Sequence, residues 1–184
     1  MNSILPTPDD VIGFWFKELT PRQWWVKSDD LDRQIALRFG ALLFAAGRCE
    51  LFGWRDCAAG RLAEIIVLDQ FSRNIHRDSA QAFAFDALAL ALAQEAVANH
   101  ADRDLDPVQR AFLYMPYMHS ESPVIHALAL SLFGAPGMEK NLDFALRHKA
   151  IIDRFGRYPH RNAILGRVST PEEIEFLKTP GSSF

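Results

Sequence analysis

Cysteine, strand signals, long apolar runs and surplus charge are all scarce in this chain, and each shortage removes a class of protein. Cysteine occurs twice, as Cys49 and Cys57. Two thiols without ligand spacing form neither a disulfide framework nor a zinc site, so reduced thiols in a reducing compartment are expected. The net charge is -3 and the pI is near 6.1. No general attraction to nucleic acid or to a membrane surface follows, so any anion binding has to be local. The most apolar stretch, Ala80 to Ala98, is interrupted by Gln81, Asp86, Gln94 and Glu95. A membrane-crossing helix needs about 18 apolar residues in a row. The opening MNSILPTPDD has neither the basic start nor the apolar run of a signal peptide. The expectation is a cytoplasmic protein with no nucleic-acid or membrane partner.

What remains is ordinary globular composition: 184 residues, 49% apolar and 23% charged. That length suits a single domain, 1–184, with a sizeable core. Helical spacing dominates the apolar pattern. Pro8-Asp9-Asp10 starts a first helix carrying Val11, Phe14 and Trp15. Ser28-Asp29-Asp30 opens a second, running to about Gly47. A third spans about Arg61 to Phe71, and a fourth, rich in alanine, about Ala80 to Asn99. Asp106-Pro107 starts a helix that Pro116 kinks or ends. Ser122-Pro123 starts another, ending near Gly134; one from Glu139 to Phe155 stops at Gly156; the last begins at Thr170-Pro171. The spacing predicts an all-α fold of about eight helices, arranged as stacked antiparallel helix pairs. No strict sequence period marks a repeat.

Three polar clusters follow apolar helices. The first is Asp69-Gln70 with Arg73, Asn74, His76 and Arg77. Spacing of four puts Asp69 beside Arg73 and Gln70 beside Asn74, so Asp69 can orient the Arg73 guanidinium. The second is His119-Ser120-Glu121. Adjacent residues do not form a triad, and no Gly-x-Ser-x-Gly elbow exists, so Ser120 or Ser122 reads first as a helix cap. The third runs from Arg147 to Arg167, where six cations face only Asp153. Its FGRYPHRN segment holds Arg157, His160, Arg161 and Asn162 in one stiff turn, a sensible anion receptor. FSRNIHR and FGRYPHR share the pattern Phe-x-Arg-x-x-His-Arg, 84 positions apart. The competing expectation is that these arginines pair internally with acids such as Asp69, Asp86 or Glu121. No histidine pair has metal-ligand spacing, so no metal or cofactor is expected.

LDQFSRNIHRD, YMPYMHSE and FGRYPHRNAILGRVSTPEE, with VIGFWF at the start and FLKTPGSSF at the end, together resemble the bacterial family catalogued as domain of unknown function 924. The resemblance covers nearly the whole chain. It implies a tetratricopeptide-like α-α superhelix and no particular activity. The family motif falls on Asp69, Gln70, Arg73 and Asn74, on His119, Ser120 and Glu121, and on Phe155 to Arg157 and Pro159 to Asn162. The chain departs after Glu121, where Ser122 and His126 stand in place of an acid and a glutamine.

The leading expectation is a binding or adaptor module. Asp69, Gln70, Arg73 and Asn74 would join His119, Glu121, Arg157, His160, Arg161 and Asn162 in one polar groove for an anionic small molecule or peptide. The alternative is a hydrolase-type enzyme, with His119 or His160 as acid or base beside Glu121 or Asp69 and arginines holding a phosphate or carboxylate substrate. In a third reading all the clusters are internal staples. That reading requires Arg73, Arg157 and Arg161 to be buried and paired with carboxylates.

Overall fold

The computed structural model describes residues 5–184. The first four, part of the opening read above for a leader, lie outside it. Among the described residues every regular element is helical, so the fold is all-α. Contacts divide the chain into two compact units, Met1–Arg77 with Gln81–Pro116, and Asp78–Ala80 with Tyr117–Phe184.

In the first unit α1 (Pro8–Gly13) opens on a reciprocal cap. Thr7 Oγ accepts from the Asp10 N–H at 3.3 Å, and the Asp10 carboxylate accepts from the Thr7 N–H at 2.7 Å. The helix widens at once into a π turn, Phe14–Glu18. α2 (Asp29–Gly47) is capped by Ser28 Oγ, and three aspartates in its first turn complement the dipole. Leu31, Ile35, Phe39, Leu42 and Ala46 recur at three and four residues and are buried. α3 (Ala58–Ile66) does not stop at Phe71. It passes through a second π turn, Val67–Phe71, into α4 (Ser72–Ile75). The two π turns supply Phe14 and Phe71, which pack with Phe39 at centroid distances of 4.6–5.9 Å. Gly60 in α3 has no substitute, because a Cβ there would lie 1.9 Å from the Trp54 carbonyl oxygen.

A 3-10 turn, Ala80–Phe83, precedes α5 (Asp86–Ala98). Ala80–Ala98 is long and apolar enough to cross a membrane by length and composition alone. Its α-helical part has 13 residues. At 1.5 Å per residue that reaches about 20 Å, short of the roughly 30 Å hydrocarbon layer. α6 (Pro107–His119) runs past Pro116 rather than ending there. Leu113, Tyr114, Met115, Tyr117 and Met118 around it are buried, and packing offsets the hydrogen bond that proline removes.

In the second unit α7 (Pro123–Phe133) and α8 (Glu139–Phe155) pack on each other across a short loop, which makes them antiparallel neighbours. α8 stops at Gly156, whose φ of +67° forms a left-handed cap. A 3-10 turn, Pro159–Arg161, follows, and α9 (Pro171–Phe176) opens on a capping box of Thr170 with Glu173.

Candidate functional site

The π turn places Asp69 and Gln70 inward, both buried, with the Gln70 amide donating to the Asp69 carboxylate. One turn on, Arg73 Nη1 donates to the Asp69 carbonyl at 2.8 Å and lies 3.0 Å from its carboxylate. The far side of the same guanidinium meets Asp86, with Nη2 donating at 3.0 Å. Asn74 and Arg77 converge on Asp32 of α2, at 2.7 Å from the amide and 2.8 Å from Arg77 Nη2. Burial pushes the Asp32 carboxyl up, but Arg77 and Asn74 outweigh it and hold it below its ordinary value. Asp69, Asp86 and Asp32 thus face two guanidiniums, with the positive charge of Lys27 also acting on Asp32.

The second unit's group is built around Tyr158, which is fully buried. Its N–H donates to Glu121 at 2.7 Å, and its hydroxyl donates to the Met118 carbonyl at 2.6 Å. Arg167 grips Glu121 through both terminal nitrogens, at 2.6 and 2.9 Å. Burial raises the Glu121 carboxyl, yet Arg167 and the Tyr158 N–H bring it below its usual range. The guanidinium of Arg161, itself buried, lies over the Tyr158 ring at 4.6 Å.

Arg157 meets a carboxylate that the sequence reading did not name. Its Nε and Nη2 donate to the two oxygens of Glu173 at 2.6 and 2.8 Å, and Nη2 also donates to the Val168 carbonyl at 3.0 Å. Glu173 is 2% exposed. The Arg157 guanidinium holds its carboxyl down at about 2, helped by the Thr170 N–H and Asn162. Asn162, fully buried, donates to Glu173 at 3.2 Å and to Ser169 Oγ at 3.0 Å, and accepts from Arg167 Nε at 3.0 Å. One amide therefore couples the two ion pairs.

Three histidines surround the same tyrosine. His126 Nε2 lies 2.8 Å from the Ser120 carbonyl and 3.2 Å from the Tyr158 hydroxyl. His148 Nδ1 lies 2.8 Å from the Phe144 carbonyl, and its ring meets Tyr158 edge-on at 5.8 Å. The His160 ring is 5.4 Å from that of Tyr158. Burial lowers all three, His148 to about 3 and His160, with Arg161 beside it, to about 4. They are neutral at pH 7. His119 ends α6 and is half-buried. Among the described residues no three or more His, Cys, Asp or Glu side chains gather as metal ligands would.

Asp69, Gln70, Arg73 and Asn74 therefore meet in the first unit. Glu121, Arg161 and Asn162 meet in the second, with His160 against the Tyr158 ring and Arg157 one residue away. Sequence reasoning counted Arg167 in the cationic run but gave it no partner, and did not place Glu173, Tyr158, Asp32 or the tail residues Ser182 and Phe184 in a site. The Thr170-x-x-Glu173 box was the signal for Glu173: a capping carboxylate uses one oxygen on the helix start and has the other to offer.

Among the described residues these elements define an all-helical protein with a network of arginine and carboxylate in each unit. The family profile described as bacterial protein of unknown function (DUF924) matches residues 11–181, and the chain belongs to that family. A solved structure described as a protein of unknown function from Agrobacterium tumefaciens is 38% identical, with a TM-score of 0.89, covering 93% of this chain and 96% of its own. No curated protein matches.

Proposed function

We propose that the chain is a binding module for an anionic group, a phosphate or carboxylate on a small molecule or peptide, and that Arg157 is its receptor. One observation carries the reading. Glu173 fixes Arg157 through Nε and Nη2, while Nη1 takes no part in those bonds and the side chain is 28% exposed. A guanidinium held on one edge offers its other edge in a fixed direction, and little rotamer freedom is left to lose on binding. The local charge favours an anion: Arg157, Arg161 and Arg167 share Glu121 and Glu173. This reading rests on the second unit alone. Both cysteines are unpaired and exposed, in keeping with a reducing compartment, and we place the protein in the cytoplasm.

The hydrolase-type alternative has less support. Of its two candidate histidines, His119 and His160, the second is held neutral down to pH about 4, so it is a weak base with no proton to give at pH 7. Glu121 is committed to Arg167.

Thermal shift of the purified protein against inorganic phosphate, phosphorylated compounds and carboxylates tests the proposal. A ligand at a hundred times its Kd adds about 2.7 kcal/mol of stability. Stabilisation by one anion class that Arg157→Lys removes is the expected result. Arg157→Lys keeps the charge and loses the fork. Stabilisation by none, in a chain destabilised by Arg157→Lys, would make the network a staple only.

A further inference from the structure

The last residues of the second unit lie on its histidine cluster. Phe184 stacks face to face on His148 at 3.6 Å, near-parallel at 22°. It meets the rings of Tyr158 and His160 edge-on at 6.4 and 6.0 Å. Two side chains beneath are core-like, Tyr158 fully buried and His148 6% exposed. The cover is not: Phe184 is 54% exposed even in place. The segment is held by few bonds. Ser182 Oγ donates to the Leu177 carbonyl at 3.1 Å, and the Ser182 backbone bonds the His160 ring. Gly181, with φ of +77°, turns the chain into this position. Ser182 is buried, but with Phe184 more than half exposed the segment opens at lower cost than the core it covers. The pocket is also not fully satisfied while covered. His160 Nδ1 is buried and has no hydrogen-bond partner among the described residues. Such nitrogens are rare in folded proteins and ask for a partner.

We propose that Gly181–Phe184 is a displaceable strap and that Phe184 occupies a slot, walled by His148, Tyr158 and His160, which takes the planar aromatic ring of a ligand. The slot suits a flat ring because its walls are aromatic faces and edges. A hydroxyl on that ring would offer the donor that an imidazole nitrogen lacks. This inference is separate from the anion reading, since it concerns a ring and not a charge.

The test uses the full chain and its Phe184→Ala variant, with phenol as probe and cyclohexanol as the non-aromatic control. Binding is read from the His148 ring signals by NMR. Phe184→Ala should bind phenol about tenfold more tightly than the parent, the worth of roughly one aromatic contact. Cyclohexanol should show no such gain. Equal phenol binding by both chains, or an equal gain for cyclohexanol, would overturn the slot. The strap is tested in the unmodified parent, so a poorly folded variant does not decide it. Diethyl pyrocarbonate should label His148 faster than global unfolding allows, resolved by peptide mass spectrometry. Labelling of His148 only at the global unfolding rate would overturn the strap.

Discussion

The segments Phe71–Arg77 and Phe155–Arg161 share a pattern of residues and are used in opposite ways. In the first, the chain stays helical as far as Ile75, and Arg73 looks back one turn to Asp69 and across to Asp86. Carboxylates outnumber guanidiniums, and Arg73 is held between two of them. In the second, Gly156 breaks the helix, so Arg157 leaves the helix axis and reaches Glu173, 16 residues on. Guanidiniums outnumber carboxylates there, and one nitrogen of Arg157 is left over. The same short pattern thus places its first arginine, Arg73, inside a helix between two carboxylates, and its counterpart, Arg157, past a helix stop on a single carboxylate. Backbone geometry, not residue identity, decides which arginine has a free edge.

The largest effect expected from breaking this contrast is at Glu121. Glu121→Ala leaves Arg167 and the Tyr158 N–H without their acceptor, and should cost about 3 kcal/mol. For a chain of this size that is a fall in Tm of roughly 6–12 °C, read by calorimetry. In the first group Asp86→Asn should cost less, about 1 kcal/mol, because Arg73 keeps Asp69. Equal losses would erase the distinction between a group rich in acid and one poor in it.

Acid should weaken the fold with a profile set by the second unit. His148 and His160 lie below their ordinary value of 6.5, at about 3 and about 4. The unfolded chain therefore takes up protons first, and stability falls as pH drops from about 6.5. The slope approaches about 1.4 kcal/mol per pH unit for each histidine. Glu173, held at about 2, adds stability above its ordinary 4.5 that is lost as pH falls toward 2. Both effects have the same sign. His148→Phe should flatten the loss between pH 6.5 and 4 in denaturant titrations. An unchanged slope in that variant would remove His148 from the account.

Much of the helix map was legible because it is written locally. Thr7, Ser28 and Thr170 cap where their neighbours say they should, and Gly156 stops α8. The π turns were not legible, since Val67–Phe71 reads as any apolar helix. The passage of α6 through Pro116 was not legible either, because burial of its neighbours decides it. The pairing of Arg73 with Asp69 was legible from spacing, and Asp86 was among the acids expected to pair with it. The partners of Arg77, Arg157 and Glu121 were not, because Asp32, Glu173 and Arg167 lie 45, 16 and 46 residues from them and no local spacing links them.

The proposed anion receptor requires a working edge on Arg157 and none on Arg73. Phosphate titration followed by NMR on the parent, Arg157→Lys and Arg73→Lys separates the two. The expected result is saturable shifts in the parent and in Arg73→Lys, centred on residues 157–162, and their loss in Arg157→Lys. Shifts that survive in Arg157→Lys, or that vanish only in Arg73→Lys, would contradict it.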